Sequence, residues 1–269
     1  MNQPNTLPLK QQVIWLTGAS SGIGEALVKA LAPRCEALII TARNEIKLTQ
    51  LVKVSGASNV IAMSGDITEL DSLEKIARDI DRLYGRIDTV IASAGTCEYV
   101  DVNQFDPALF QRVMDTNFMG MVNTTAAALP GLRRSQRGYL VGVSSSVSML
   151  AMPRAQAYGS SKAAMTHFLE SMKADLAEAG IDVSVVSPGF VKTPLTDVND
   201  FPMPMRISAE KAADEIVAGL EKRQWHIHFP KRFTRLLWLL GHLPAGLRHR
   251  ITASMSRASE ASDSQGTHS

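Results

Sequence analysis

The stretch TGASSGIG, residues 17–24, lies between a short apolar run and a helix-like segment. In such a turn Gly18 allows a tight reversal, Gly22 lets the backbone approach a ligand, and Gly24 lets the helix pack closely on the strand. The free N–H groups at the start of that helix can bind a diphosphate. Three glycines alone also fit a structural turn, but their place after the first strand favours a dinucleotide site.

Apolar runs alternate with helix-like segments on both sides of this turn. Seven runs are predicted to be strands: 13–17, 37–41, 59–63, 88–93, 138–144, 182–187 and 225–229. Helices are predicted over 24–32, 70–84, 107–129, 155–179 and 209–223. Continuous Val/Ile/Leu runs alternating with helices indicate strands buried on both faces. The sequence therefore predicts one Rossmann-like, doubly wound α/β domain, with a mostly parallel seven-stranded sheet covered by helices on both faces.

The end of the second predicted strand indicates which dinucleotide would bind. An NAD site usually places Asp or Glu there to bind the ribose hydroxyls, whereas this strand ends Thr41-Ala42-Arg43. No carboxylate would repel a 2′-phosphate, and the Arg43 guanidinium could bind it. A solvated surface arginine is the alternative. We expect NADP(H) to be preferred over NAD(H).

Tyr158 and Lys162 are four residues apart on a predicted helix, so they share a face. A nearby ammonium lowers the pKa of a phenol and makes it a usable general acid or base. Ser145 follows the fifth predicted strand, where its hydroxyl could bind a substrate oxygen. Asn117 lies in a long apolar helix, an unfavourable place for an amide without a partner. An isolated tyrosine and lysine at this spacing would fit an ordinary helix face, but these neighbours favour a catalytic site.

Together these motifs resemble the single-domain short-chain dehydrogenase/reductase family over roughly residues 12–230. The resemblance implies that Tyr158 is the general acid/base, that Ser145 anchors the carbonyl, that Lys162 lowers the tyrosine pKa and binds the ribose, and that Asn117 holds a water of a proton relay. It places Asp66 near the adenine and 189–193 around the carboxamide. The expected cofactor-binding residues are Gly18, Ser20, Ser21, Gly22, Ile23, Gly24, Arg43, Asp66, Ala94, Gly95, Tyr158, Lys162, Pro188, Gly189, Val191 and Thr193.

One departure from the family pattern follows the fourth predicted strand. The family usually reads Asn-Asn-Ala-Gly there, and this chain reads Ala92-Ser93-Ala94-Gly95. We interpret it as a change in local hydrogen bonding with cofactor binding retained.

Three segments are expected to face the substrate: 96–100, 147–154 and 194–208, the last of which lies where the family has a mobile lid. Methionine adapts to apolar ligands of varied shape. The segments contain Met149, Met152, Met203 and Met205. They favour a small hydrophobic carbonyl or alcohol substrate, with packing in the core as the alternative.

The segment 229–251 is basic and is not required by the resemblance. Phe233, Leu236, Leu237 and Leu240 are predicted to share one helix face, opposite Lys231 and Arg235 and flanked by Trp238. This pattern suits a helix lying on anionic lipid. The alternative is a helix packed over the substrate cleft or against another subunit, with its cations solvated, and this is the preferred interpretation. We divide the chain into a catalytic domain 1–230, a basic extension 231–255 and a disordered polar tail 256–269.

Composition excludes several other classes. The net charge is +2, and a single basic patch with few aromatic residues argues against nucleic acid. Two cysteines give no disulfide framework and fit a cytoplasmic protein, and neither a secretory signal nor a spanning segment is recognised. His226 and His228 lack further ligands, so we expect no metal.

The leading functional hypothesis is an NADP-dependent carbonyl reductase or alcohol dehydrogenase. There are two alternatives: an epimerase or dehydratase that recycles bound cofactor, and a non-catalytic NADP sensor. By resemblance, we expect a homodimer or homotetramer that pairs the helices near 107–129 and 155–179.

Overall fold

A seven-stranded sheet forms the centre of the molecule. The computed structural model describes residues 7–265, with side chains described as far as residue 255. The strand order is β3-β2-β1-β4-β5-β6-β9, and every adjacent pair is parallel. The sheet strands are β1 (Val13–Thr17), β2 (Ala37–Thr41), β3 (Val60–Ala62), β4 (Thr89–Ala92), β5 (Tyr139–Val143), β6 (Asp182–Pro188) and β9 (His226–Phe229); β7 (Val191–Lys192) and β8 (Ile207–Ser208) pair separately.

Helices cover both faces of this sheet. They are α1 (Gly22–Leu31), α2 (Glu45–Ser55), α3 (Leu70–Tyr84), α4 (Pro107–Met114), α5 (Gly120–Arg134), α6 (Gln156–Asp175), α7 (Pro194–Asp197), α8 (Ala209–Glu221), α9 (Lys231–Gly241) and α10 (Ala245–Gln265). A π-helical turn, Asp115–Met119, joins α4 to α5 where the sequence predicted one continuous helix.

The alternation of side chains along β1 explains the two layers. Ile14 and Leu16 enter the apolar cluster on one face, and Val13 and Trp15 enter the cluster on the other. Successive residues of a strand point to opposite faces, so a strand buried on both sides must be apolar throughout. The indole nitrogen of Trp15 donates to the Thr41 hydroxyl at 2.9 Å. The predicted fold class is confirmed.

The order of the strands creates the crevice in which the site lies. β1 pairs with β2 on one side and with β4 on the other. The chain therefore adds β2 and β3 on one side of β1, and then crosses back to add β4, β5 and β6 on the other. Ligands of such sheets bind at this switch point, outside the carboxyl ends of the strands.

The C-terminal part follows the division expected from the sequence only approximately. α10 continues to Gln265 and so includes much of the segment 256–269 that we expected to be disordered, whereas 266–269 lie outside the described residues. We retain the division into domain, extension and tail as a proposal.

Candidate active site

A groove of about 800 Å³ runs along the carboxyl edge of the sheet. Every residue expected from the sequence to bind cofactor lies on its wall, as do Ser145, Tyr158 and Lys162. Of the predicted site residues, Asn117 alone is completely buried behind the wall. The structure thus brings together residues from the turns after β1, β2, β4, β5 and β6.

The glycine turn leaves no room for side chains. Gly18 has φ +73°, and a Cβ there would lie 2.5 Å from the Cα of Ala94. A Cβ on Gly24 would lie 2.1 Å from the carbonyl oxygen of Gly18. Ser21, at the N-cap of α1, makes no side-chain capping bond, so the first N–H groups of the helix remain able to bind an anion. This cradle fits the diphosphate of a dinucleotide.

The end of the groove beyond β2 is cationic. Arg43 and Lys47 are both exposed and line the groove, and neither forms an ion pair with any described side chain. Between them Asn44 caps α2 by accepting from the Lys47 amide at 2.9 Å. The sequence analysis did not identify Lys47, although Asn44 followed by Glu45 is a recognisable helix start that would have placed it one turn into a helix. Neither cation is held by a described carboxylate, so both can meet an anionic group of a ligand at this end.

On the opposite wall of this end, the Asp66 carboxylate accepts from the amide and the hydroxyl of Thr68, each at 2.9 Å. Thr68 also lines the groove and was not identified from the sequence. The two bonds fix the direction of the carboxylate. Asp66 is therefore held in place by its own loop.

Tyr158, Lys162 and Ser145 lie at the other end of the groove. α6 presents the tyrosine and the lysine on one face, with the lysine nitrogen 5.9 Å from the centre of the tyrosine ring. That nitrogen donates to the carbonyl oxygen of Val143, at the end of β5, at 2.8 Å. Ser145 caps the following short turn by accepting from the Val147 amide at 3.2 Å. The predicted catalytic cluster is thus assembled by β5 and α6.

Burial dominates the protonation of this cluster. Burial raises the pKa of Tyr158 to about 12, although the hydrogen bond with the Ser145 hydroxyl acts to lower it. It lowers the pKa of Lys162 to about 8. The sequence predicted that Lys162 would lower the tyrosine pKa; in this structure the tyrosine pKa is raised, because desolvation of the phenolate outweighs the hydrogen bond with Ser145. The phenol of Tyr158 is consequently protonated at neutral pH.

Asn117, in the π-helical turn, connects two parts of the site. Its amide nitrogen donates to the carbonyl oxygen of Thr96 and to the Ser161 hydroxyl, each at 2.9 Å. Its oxygen accepts from the Thr96 amide at 2.7 Å, and Ser161 in turn donates to the Tyr158 carbonyl at 2.7 Å. These bonds provide the partner that a buried amide requires. Its expected part in a proton relay stays a prediction.

Comparison with known proteins identifies the family. The family model described as short chain dehydrogenase matches residues 12–201. The chain belongs to this family. As the sequence predicted, this short-chain dehydrogenase is an enzyme of the oxidoreductase class.

Relatives and solved structures agree with this assignment. The dehydrogenase is 34% identical over 250 residues to 11-beta-hydroxysteroid dehydrogenase 1A of Arabidopsis thaliana, covering 84% of this chain and 71% of that protein. It is 33% identical over 217 residues to an uncharacterized oxidoreductase of Myxococcus xanthus (strain DK1622), covering 80% and 86%.

Two solved structures share its fold. A short chain dehydrogenase from Burkholderia cenocepacia J2315 in complex with NADP has a TM-score of 0.79 at 24% identity, covering 93% of this chain and 99% of that one. A short chain dehydrogenase/reductase from Burkholderia phymatum in complex with NAD has a TM-score of 0.78 at 19% identity, covering 85% and 92%.

An apolar cluster, called here the apolar wall, lies between the loop after β5 and α9 of this short-chain dehydrogenase. Leu150, Phe233 and Leu237 form a buried cluster, against which Met149 and Met152 pack. Both methionines therefore pack in this cluster and do not line the groove, which is the alternative that the sequence left open, whereas Met205 is 53% exposed. The cluster joins the loop after β5 to α9.

The face of α9 differs from the one predicted. Phe233 and Leu237 point into the protein, but Leu236 is 51% exposed and does not share their environment. Trp238 and Leu239 are also exposed, on the same side as Lys231 and Arg235. The helix thus packs on the loop after β5 and on Phe190, and it still presents apolar side chains to solvent.

Other features of the dehydrogenase are defined by short contacts. His226 and His228 bond to the hydroxyls of Ser187 and Thr234, at 2.9 and 2.7 Å, and burial lowers the pKa of both.

Among the described residues no group of three or more His, Cys, Asp or Glu side chains is arranged for a metal. No helix in the described part of the chain has the length and hydropathy needed to cross a bilayer.

Proposed function

We propose that this dehydrogenase is an NADP-dependent oxidoreductase that interconverts a carbonyl and a secondary alcohol on a hydrophobic substrate. The observation that supports it best is the single groove with a glycine cradle in its middle, two unpaired cations at one end and the Ser145–Tyr158–Lys162 cluster at the other. The NADP and NAD complexes of the two similar structures are consistent with a nicotinamide cofactor. Bound there, the nicotinamide would exchange a hydride with the substrate carbon.

The chain's own residues would handle the proton. In the reduction direction the Tyr158 hydroxyl donates its proton to the carbonyl oxygen, while the Ser145 hydroxyl donates a hydrogen bond to the same oxygen. Lys162, held by the Val143 carbonyl, places its charge near the oxygen that loses the proton. In the oxidation direction Tyr158 must first be deprotonated, so its raised pKa favours reduction at neutral pH.

Replacement of Tyr158 tests the assignment. Tyr158→Phe removes the transferable proton but keeps the ring, so turnover should fall by at least about 10²–10⁴-fold. Binding of NADPH, followed by fluorescence titration, should be nearly unchanged. Activity equal to that of the parent enzyme would contradict the proposal.

The cationic end tests the cofactor preference. Arg43→Ala should weaken NADPH binding by roughly 10- to 100-fold, the effect expected for a hydrogen bond to a charged group, and should affect NADH far less. Lys53→Ala, which removes an exposed cation from the same helix as Lys47 without touching the groove, is the control. An unchanged ratio of the two dissociation constants would show that the preference is wrong.

The apolar wall supports a hydrophobic substrate. Leu150, Met149, Met152 and Phe190 lie in the loops that follow Ser145 and Gly189 of the groove, so a substrate that extends past the groove on that side would meet apolar side chains. A screen of NADPH oxidation over steroid, 3-keto acyl, quinone and small aldehyde substrates would identify the class. Preference for small polar aldehydes would contradict this part of the proposal.

We also propose that the enzyme is a homodimer or homotetramer, which sedimentation would test.

We further propose a cytoplasmic enzyme, with peripheral membrane contact through 229–251 as the second candidate after packing of this segment on the cleft or another subunit. Both cysteines are free, which suits a reducing compartment. On α9 the exposed Trp238 and Leu239 lie beside Lys231, Arg232 and Arg235, a combination suited to an anionic bilayer surface. Co-sedimentation with vesicles containing phosphatidylserine at low salt should detect it, and Trp238→Ser should weaken it. Absence of binding would leave α9 as a cleft or subunit contact.

A further inference from the structure

The three segments expected to face the substrate are fastened to one another at one surface point. Arg154, from the loop after β5, donates from one guanidinium nitrogen to both carboxylate oxygens of Asp200, each at 3.0 Å. The Tyr99 hydroxyl, from the loop after β4, donates to the Asn199 side chain at 2.7 Å. Asn199 and Asp200 both belong to the segment 194–208, called here the lid segment.

Arg154 and Tyr99 are also fixed to each other. The guanidinium carbon lies 5.4 Å from the centre of the Tyr99 ring, within the range of a cation–π contact. The Arg154 carbonyl accepts from the Val100 amide at 2.9 Å. Arg154 has φ +62°, a left-handed conformation that is unfavourable for a side chain of its size. Such strain persists only where the surrounding contacts hold it.

An aromatic row continues from this point into the apolar wall. The Phe201 ring, in the lid segment, meets the edge of Tyr99 at 5.7 Å and Phe190 at 6.1 Å. Phe190 packs on Phe233 of α9 at 5.4 Å. The beginning of the lid segment, 194–196, lines the groove itself. The lid segment therefore spans from the groove to the surface contact with Arg154.

We propose that Tyr99, Arg154, Asn199 and Asp200 form a clasp that holds the lid segment against the substrate end of the groove. This inference rests on the proposed function, since it assigns these four as positioning residues for the hydrophobic substrate. With the clasp formed, Phe201 completes the aromatic row. With the clasp broken, the lid segment moves away and the substrate loses that side of its site.

The clasp is weak enough to open during turnover. The Arg154 and Asp200 side chains are 39% and 49% exposed, and an exposed ion pair contributes little free energy. Lid closures of this kind occur on the microsecond to millisecond scale and often limit product release. A contact that held the lid segment permanently would be expected to be buried.

The test combines hydrogen exchange with steady-state kinetics. Arg154→Gln and Asp200→Asn should each speed amide exchange across 194–208 and raise KM for a hydrophobic substrate by roughly two- to fivefold, the range for an exposed pair. The value of kcat should stay level or rise, and the NADPH dissociation constant should not change. Reversal of the pair, Arg154→Asp with Asp200→Arg, should return both the exchange rate over 194–208 and KM to the values of the parent enzyme. Tyr99→Phe should reproduce the single effects by removing the bond to Asn199.

A matched pair elsewhere supplies the control. Arg134 and Asp81 are each 46% exposed and contact each other away from the groove, so Arg134→Gln should alter neither exchange over 194–208 nor KM. Unchanged exchange in Arg154→Gln, or failure of the reversed pair to restore it, would overturn the clasp. A fall in kcat with KM unchanged would also overturn it, since it would indicate a part in the chemistry. Exchange needs no turnover, so the clasp can be tested even if the proposed activity is wrong.

Discussion

Replacement of Lys162 by methionine should stabilise the protein while inactivating it. Lys162 is 4% exposed, and burial lowers its pKa from 10.5 to about 8. A lowering of that size corresponds to about 3 kcal/mol of unfavourable free energy for the charged form in the folded state. Methionine is similar in length and carries no charge. It leaves the Val143 carbonyl without its partner, which costs about 1–2 kcal/mol, so Lys162→Met should gain about 1–2 kcal/mol at pH 7.

The dependence on pH separates this effect from repacking. Because the folded pKa is below the unfolded one, the folded state loses the lysine proton first, and parent stability rises with pH above about 7. Between pH 7 and 9 that rise amounts to about 1 kcal/mol for a pKa moved from 10.5 to about 8. The advantage of the variant should shrink by the same amount.

Urea unfolding at pH 7, 8 and 9 measures both quantities, and NADPH oxidation measures the loss of activity. Lys173→Met, which replaces an exposed lysine of the same helix, is the control and should show no such convergence with the parent. A Lys162→Met variant less stable than the parent at every pH, by a constant margin, would refute the reasoning.

Three further predictions concern other groups. The kcat/KM for carbonyl reduction should fall as the pH rises above about 8, because Lys162 loses its charge while Tyr158 stays protonated; a pH profile that stays flat to pH 10 would contradict this. Gly18→Ala should cost about 2–4 kcal/mol and impair NADPH binding, because it combines left-handed strain with overlap on Ala94. Gly56→Ala, at φ +62° with open space around it, should cost only the backbone strain, about 1–2 kcal/mol. If the two substitutions cost the same free energy of unfolding, the overlap at Gly18 contributes nothing and the prediction is wrong. Asp88→Ala should cost about 3 kcal/mol in urea unfolding, because the buried carboxylate accepts from the Val13 amide and pairs with Arg86, whereas Asp79→Ala, in an exposed pair, should cost under about 1 kcal/mol.

The sheet and the groove could be predicted because their signals are local. A strand buried on both faces must be apolar throughout, and the runs at 13–17 and 37–41 coincide with β1 and β2. Gly18 and Gly24 are required by contacts within the turn itself. The positions of Tyr158 and Lys162 follow from helical spacing, so their shared face could be stated in advance.

The features that could not be predicted depend on distant residues or on competing energies. Tyr99 and Asn199 are 100 positions apart, and Arg154 and Asp200 are 46 apart, so no periodicity indicates either contact. The direction of the Tyr158 pKa depends on how far burial outweighs a neighbouring charge, which only the packed structure defines. The exposed position of Leu236 likewise reflects which side of α9 meets Leu150, and an amphipathic pattern alone leaves that choice open.

The bonds of Asn117 have a mechanical consequence. Through this one amide the loop at Thr96 and the helix that bears Tyr158 are joined by Ser161 into a single rigid frame. We expect a ligand that displaces this loop to shift the first turn of α6, which bears Tyr158, as well. Occupancy of the groove beside Thr96 and alignment of the phenol would then be coupled.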